Sequence, residues 1–164
     1  MTFQIRPAAP EDAEQIAEAH LDSIHTLGAR FYASGIVAVW GSPRNGDRYR
    51  KSIEDGVPFF VAQSIANSRL PGFSAYGLAE GKHRTAIYVR AEAARMGVGR
   101  ALFQAAEAVA HERGADEIHV DASLGAVPFY LACGFEELEK GQHKLSSGLL
   151  MDCVFMKKRL ARHA

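Results

Sequence analysis

Seven consecutive residues, Arg95-Met96-Gly97-Val98-Gly99-Arg100-Ala101, set two glycines and two arginines where a strand-like run gives way to a helix-like one. That arrangement suits an anion. Glycine lets a backbone come close to a phosphate, the N–H groups of a first helical turn point outward unpaired, and the helix dipole adds partial positive charge there. Downstream, Asp121 at the end of a strand-like run raises a rival reading, a dinucleotide-binding unit with its acidic residue on a ribose. Three features oppose that rival. Leu102 stands at the third glycine position, seven residues separate Val89 from Gly97 where a tight turn is needed, and too little chain follows Asp121 to finish a doubly wound sheet.

A second segment lies further on: Ser123-Leu124-Gly125-Ala126-Val127-Pro128-Phe129-Tyr130-Leu131-Ala132-Cys133-Gly134-Phe135. With it the chain resembles the GNAT superfamily of acyl-CoA-dependent N-acetyltransferases. That family has an R/Q-x-x-G-x-G/A loop opening a helix, then a strand, then N-x-x-A-x-x-F-Y-x-x-x-G-F. Arg95, Gly97 and Gly99 match the loop, and Ala126, Phe129, Tyr130, Gly134 and Phe135 match the second motif. The likeness covers Thr85 to Phe135 firmly and the N-terminal part more loosely. Ser123 departs from the pattern, standing where the family has Asn, and the link from Val89 to Arg95 is one residue longer than usual.

The resemblance implies roles residue by residue. Main-chain N–H groups of Gly97, Val98, Gly99, Arg100 and Ala101, within the loop begun by Arg95 and Met96, would hold the pyrophosphate of coenzyme A. Ile87, Tyr88 and Val89 would pair by their backbone with the pantetheine arm, as an added strand does. Ser123 would offer a hydroxyl to the cofactor in place of an amide. Tyr130 would be the general acid that returns a proton to the coenzyme A thiolate, a task for which a phenol is protonated at neutral pH. His83, six residues before Val89, would be the base for the amine, with Glu80 acting through water as the alternative; His20, His25, His111, His119 and His143 have weaker claims, since none falls next to the motifs. The resemblance thus implies an acyltransferase that moves an acetyl group from acetyl-CoA, as co-substrate, to a primary amine by direct attack in a ternary complex. A non-catalytic acyl-CoA sensor is the alternative, and a dinucleotide-binding module a weaker one. The acceptor, a small-molecule or peptide amine, is not readable here, and a homodimer is compatible with the resemblance.

The elements that must position these residues follow from periodicity. Residues 3–6 alternate as a strand; 13–27 carry apolar residues at helical spacing up to Gly28; 36–40 and 47–53 read as two short helices. Runs 57–62 and 72–77 read as a hairpin, 85–89 as a strand, 98–111 as an amphipathic helix closed by Gly114, and 117–121 as a strand. A short helix over 125–133 and strands near 135–138 and 149–156 complete the chain. A strand-helix-strand unit needs a crossover and so favours a parallel pair, whereas short turns favour antiparallel ones. The expected fold is α+β: one domain over residues 1–164, with a GNAT-like mixed, mostly antiparallel sheet, one parallel central pair formed by 85–89 and 117–121, and helices on both faces. The aromatic segment from Phe31 to Trp40 suits an acceptor pocket or the core.

Composition agrees and excludes other classes. With 164 residues, 48% hydrophobic and 23% charged, the chain can bury a real core. Nineteen Lys and Arg balance nineteen Asp and Glu, so no overall field draws it to nucleic acid or an anionic membrane. No apolar run reaches the length of a membrane span and no signal peptide is visible, which makes the cytoplasm the expected compartment. Cys133 and Cys153 have no metal-ligand spacing, so no metal is expected and both read as buried thiols.

Overall fold

The structure, a computed structural model, describes residues 1–162. Seven strands form one sheet: β1 (Phe3–Pro7), β2 (Phe59–Ser64), β3 (Gly72–Ala79), β4 (Lys82–Val89), β5 (Glu117–Ser123), β6 (Glu136–Lys144) and β7 (Leu150–Arg159). Their order is β1-β2-β3-β4-β5-β7-β6, antiparallel throughout except for β4 and β5. Between the last two, the helix α4 (Val98–Glu112) makes the crossover that parallel neighbours require. The expected α+β fold is therefore the observed one.

Helices cover both faces. On one, α4 and α5 (Val127–Ala132) bury Phe103, Ile118, Tyr130, Phe135 and Met156, and the Val98 end of α4 packs on Ala62 of β2. On the other, α1 (Ala13–Asp22) and α3 (Asp47–Glu54) meet the sheet through Ile16, Tyr49, Val61 and Phe73. Between them α2 (Ser34–Trp40) carries Trp40 toward the middle of the sheet. Alternation in β5 shows how the strand serves two faces: Ile118, Val120 and Ala122 are buried toward α4, while His119, Asp121 and Ser123 point the other way.

Several boundaries differ from the sequence reading. The helix beginning at Ala13 does not stop at Gly28: it widens to a π-turn over Ser23–Leu27 and tightens to a 3₁₀ turn over Gly28–Phe31. Gly28 is there for space, since a Cβ would lie 2.5 Å from the Trp40 ring. Strands β3 and β4 form a tight hairpin of their own through Glu80 and Gly81, both with positive φ, so β4 starts three residues before Thr85. β6 runs to Lys144 rather than Leu138, because its polar residues are those of an edge strand and carry no alternation that would mark it.

The largest difference concerns the parallel pair. β4 and β5 are neighbours as expected, but their only register pair is Arg84 with His119. From Thr85 to Val89 one side of β4 has no paired strand beside it among the described residues. The sheet is split there.

Candidate active site

The split opens a cleft of about 350 Å³ between β4 and β5. Arg84 to Tyr88 form one wall, Val120, Asp121 and Ser123 the other, Tyr130 and Ala126 close the α5 side, and Trp40, Met151, Cys153 and His143 line the opposite one. Along Thr85 to Val89 the β4 backbone groups that point away from β3 have no strand partner among the described residues, which makes this edge a template for an extended ligand, with the Tyr130 hydroxyl meeting it at Ile87. Ile87, Tyr88 and Val89 all lie on that stretch, and Ile87 and Tyr88 line the cleft itself.

At one end of the cleft the chain leaves β4, makes a short 3₁₀ turn over Ala91–Ala93 and enters α4 through the glycine loop. Arg95 has φ of 63° and Gly97 of 83°, so a non-glycine residue is held in the left-handed region beside a glycine that adopts it freely. Gly97 is the N-cap of α4, and a Cβ there would meet nothing within 4 Å. Its surroundings are open toward the exposed Met96, Arg95 and Arg100, and among the described residues neither arginine makes an ion pair. Val98 is fully buried and anchors the loop in the core. Gly99 serves a different end, since its Cβ would come within 2.9 Å of the Phe129 ring and push α5 away.

Tyr130 is 4% exposed, packed against Phe129 and Phe135, and lines the cleft. Burial pushes its phenol far above the usual tyrosine range, and the neighbouring Tyr88 and Cys133 add to that, opposed by a hydrogen bond with the Ile87 backbone. It is a protonated hydroxyl at any ordinary pH. Cys153, also in the cleft, is pushed up to about 11 by burial and by Asp121 and Asp152, so it is a thiol and not a nucleophilic thiolate.

A strap crosses the α2 side of the cleft. The Tyr32 hydroxyl accepts from the Leu124 N–H at 2.8 Å and donates to the Asp152 carbonyl at 2.6 Å, tying the α1–α2 connection to the ends of β5 and β7. Phe31 lies against Gly125, where a Cβ would be 2.5 Å from its ring. Trp40 packs edge-on against Tyr32. The aromatic segment from Phe31 to Trp40 therefore serves both readings: it packs, and through Trp40 it lines the cleft.

The expected base stands elsewhere. His83 pairs across the hairpin with Leu78, lies on the α4 face, and is hydrogen-bonded through Nδ1 to the Tyr76 hydroxyl, whose ring sits under Arg113. It does not line the cleft. Glu80 is an exposed turn residue with φ of 53°, at the margin of a groove of about 470 Å³ that continues from the cleft. Three side chains that do face the cleft were not singled out for it in the sequence: Arg84, Asp121 and His143. One oxygen of Asp121 accepts from Arg84 at 2.5 Å and the other faces His143 Nδ1 at 3.2 Å. Alternation in β5 was the available signal, since its polar residues form one face of a central strand.

A family model for the GNAT acetyltransferase domain matches residues 22–160. The chain belongs to the GNAT acetyltransferase family. Among solved structures this GNAT protein is similar to a GCN5-related N-acetyltransferase from Rhodopseudomonas palustris, with 26% identity, TM-score 0.82, and coverage of 98% of this chain and 97% of that one. The PaiA N-acetyltransferase of Thermoplasma acidophilum, in complex with coenzyme A, shares the fold at 20% identity and TM-score 0.73, covering 98% and 100%. So does a phosphinothricin acetyltransferase from Sinorhizobium meliloti in complex with acetyl-CoA, at 19% identity and TM-score 0.74, covering 98% and 90%. No curated protein matches this GNAT chain in sequence. Among the described residues no cluster of His, Cys, Asp and Glu could hold a metal ion, and no helix is long and apolar enough to cross a membrane.

Proposed function

We propose that this acetyltransferase transfers the acetyl group of acetyl-CoA to a primary amine by direct attack within a ternary complex. The observation that carries this reading is the split between β4 and β5, with an anion-binding loop at one end and a buried phenol inside. The residues fit coenzyme A: an open left-handed glycine at a helix N-terminus takes the pyrophosphate, with Arg95, Met96, Val98, Gly99, Arg100 and Ala101 in the same loop, and the unpaired edge at Ile87, Tyr88 and Val89 takes the pantetheine amides. Ser123, on the opposite wall, contributes a hydroxyl. Acetyl-CoA supplies a thioester carbonyl as the electrophile. The acceptor's amine attacks it, and Tyr130, protonated through burial, gives its proton to the departing sulfur. Direct transfer is supported by Cys153, the cysteine lining the cleft, which burial keeps as a thiol and so a poor nucleophile for the acetyl group.

The acceptor enters from the side bounded by Trp40, His143 and Met151 and is a small-molecule or peptide amine. The test is release of free thiol from acetyl-CoA across a panel of amines. Turnover with any of them supports the reading; tight coenzyme A binding with no turnover would leave a non-catalytic sensor instead.

A further inference from the structure

The Asp121 carboxylate stands between a guanidinium and an imidazole, and the three groups come from three strands. Arg84 is on β4, Asp121 on β5 and His143 on β6, so the cluster spans the cleft where the parallel pair parts. An arginine and a histidine in a cleft could be a receptor for an anionic acceptor, but Asp121 already satisfies both. What remains unspent is the second ring nitrogen of His143. With Nδ1 directed at a carboxylate, the neutral ring carries its proton on Nδ1 and leaves Nε2 as a free lone pair. Half of the His143 side chain is exposed while lining the cleft, so water and an amine can reach that lone pair.

We infer that His143 is the general base of the transfer and that Asp121, held by Arg84, is its positioning residue. The inference rests on the acetyltransferase reading above. As the acceptor nitrogen bonds to the thioester carbon, its N–H proton passes to His143 Nε2. The C–S bond breaks, the sulfur takes the Tyr130 proton, and His143 and Tyr130 return to their starting states by proton exchange with solvent. The products are the amide and free coenzyme A thiol. Asp121 favours the imidazolium that forms, as a carboxylate beside a histidine does. Its own carboxyl is held below the usual range by the His143 hydrogen bond first and then by Arg84, against burial, so it is an anion throughout.

Other charged groups line the adjoining groove: Lys82 on β4, Glu80 in the β3–β4 turn, Glu139 and Lys144 on β6, and His119 on β5, which is paired with Glu117; among the described residues Asp121 is the one in hydrogen-bond reach of the His143 ring.

The experiment measures kcat/KM against pH with acetyl-CoA and methoxyamine, a primary amine whose ammonium form has lost its proton well below the histidine range, following thiol release above the uncatalysed rate. The wild type should show a rising limb in the range where histidines titrate. His143→Gln should lose the limb and fall about 100-fold or more at its plateau. Asp121→Asn should keep the limb but lower the plateau and shift the apparent pKa down, whereas His83→Gln should change neither. Nitrogen NMR of the wild type should report the Nδ1-protonated tautomer for His143, with that preference lost in Asp121→Asn. A His143→Gln enzyme with the wild-type limb and plateau, or the opposite tautomer, overturns the assignment and leaves the acetyltransferase reading standing. A wild type that releases no thiol with any amine overturns both.

Discussion

Tyr130 combines two features that can serve different roles: a buried ring wedged between Phe129 and Phe135, as in a core tyrosine, and a protonated hydroxyl lining a cleft, as a proton donor to a thiolate needs. Removing only the oxygen separates the two roles. Tyr130→Phe is expected to keep the ring's packing and affinity for coenzyme A while lowering turnover roughly 10- to 1000-fold, read by calorimetry and thiol release together. A full-rate mutant would return the residue to the core. Tyr130 could be found in the sequence because it sits inside a motif, with Phe129 before it and Gly134-Phe135 after it. The base could not. His83 and His143 are equally plain as letters, and what separates them is the parity of two strands: His83 falls on the α4 face with Tyr76, and His143 faces Asp121. Parity on β6 also depends on a bulge between Glu137 and Glu139, which no pattern in that polar strand announces.

Among the elements, the loop into α4 uses its two glycines for different reasons, and the difference is measurable. Gly97 is left-handed and open, so Gly97→Val has room but takes up a conformation costing about 1 to 2 kcal/mol for a side-chain-bearing residue and puts methyls where the pyrophosphate would lie. The variant is expected to fold, to melt slightly lower, and to lose coenzyme A affinity at least about tenfold by calorimetry, a drop of about 1.4 kcal/mol. Gly99 has an ordinary φ and stands against Phe129, so Gly99→Ala should displace α5 and reduce turnover more than binding. Equal affinity in Gly97→Val and wild type would remove the loop from the cofactor's site. The loop and both long helices were legible because their signals are local: apolar spacing and glycine at a strand-to-helix junction. The strap was not. Tyr32 reaches residues 92 and 120 positions away, and Gly125 is a glycine only because Phe31 lies on it.

At the scale of the whole molecule, a sheet split down the middle has to be held from its faces, because β4 and β5 share a single register pair. α4 grips both on one side. On the other, α1 and α3 hold the β1–β4 half through a cluster at whose centre His20 is wedged among Tyr49, Phe73 and Tyr88. His20 Nδ1 meets the Tyr49 hydroxyl at 2.6 Å, and its buried Nε2 has no hydrogen-bond partner among the described residues. Burial first, then Arg44 and Arg48, push its pKa down to about 3 from an ordinary 6.5. Folded His20 is therefore neutral where unfolded His20 takes a proton, and stability is complete above pH 6.5 and lost as pH falls from 6.5 toward 3. The slope approaches about 1.4 kcal/mol per pH unit, on the order of 2 kcal/mol by pH 5. Asp12 and Asp121, also held below their ordinary value of 3.8, add to acid sensitivity only as pH falls through that value and lower, beneath the range from pH 7 to pH 5. His20→Gln keeps an acceptor for Tyr49 and does not titrate, so urea unfolding at pH 7, 6 and 5 should show a flatter loss than in wild type, whatever the variant costs at pH 7. The other histidines contribute equally to both proteins and cancel in the difference. Identical slopes would mean that His20 is protonated in the fold, and that the half of the sheet carrying β4 tolerates a buried cation beside the cleft.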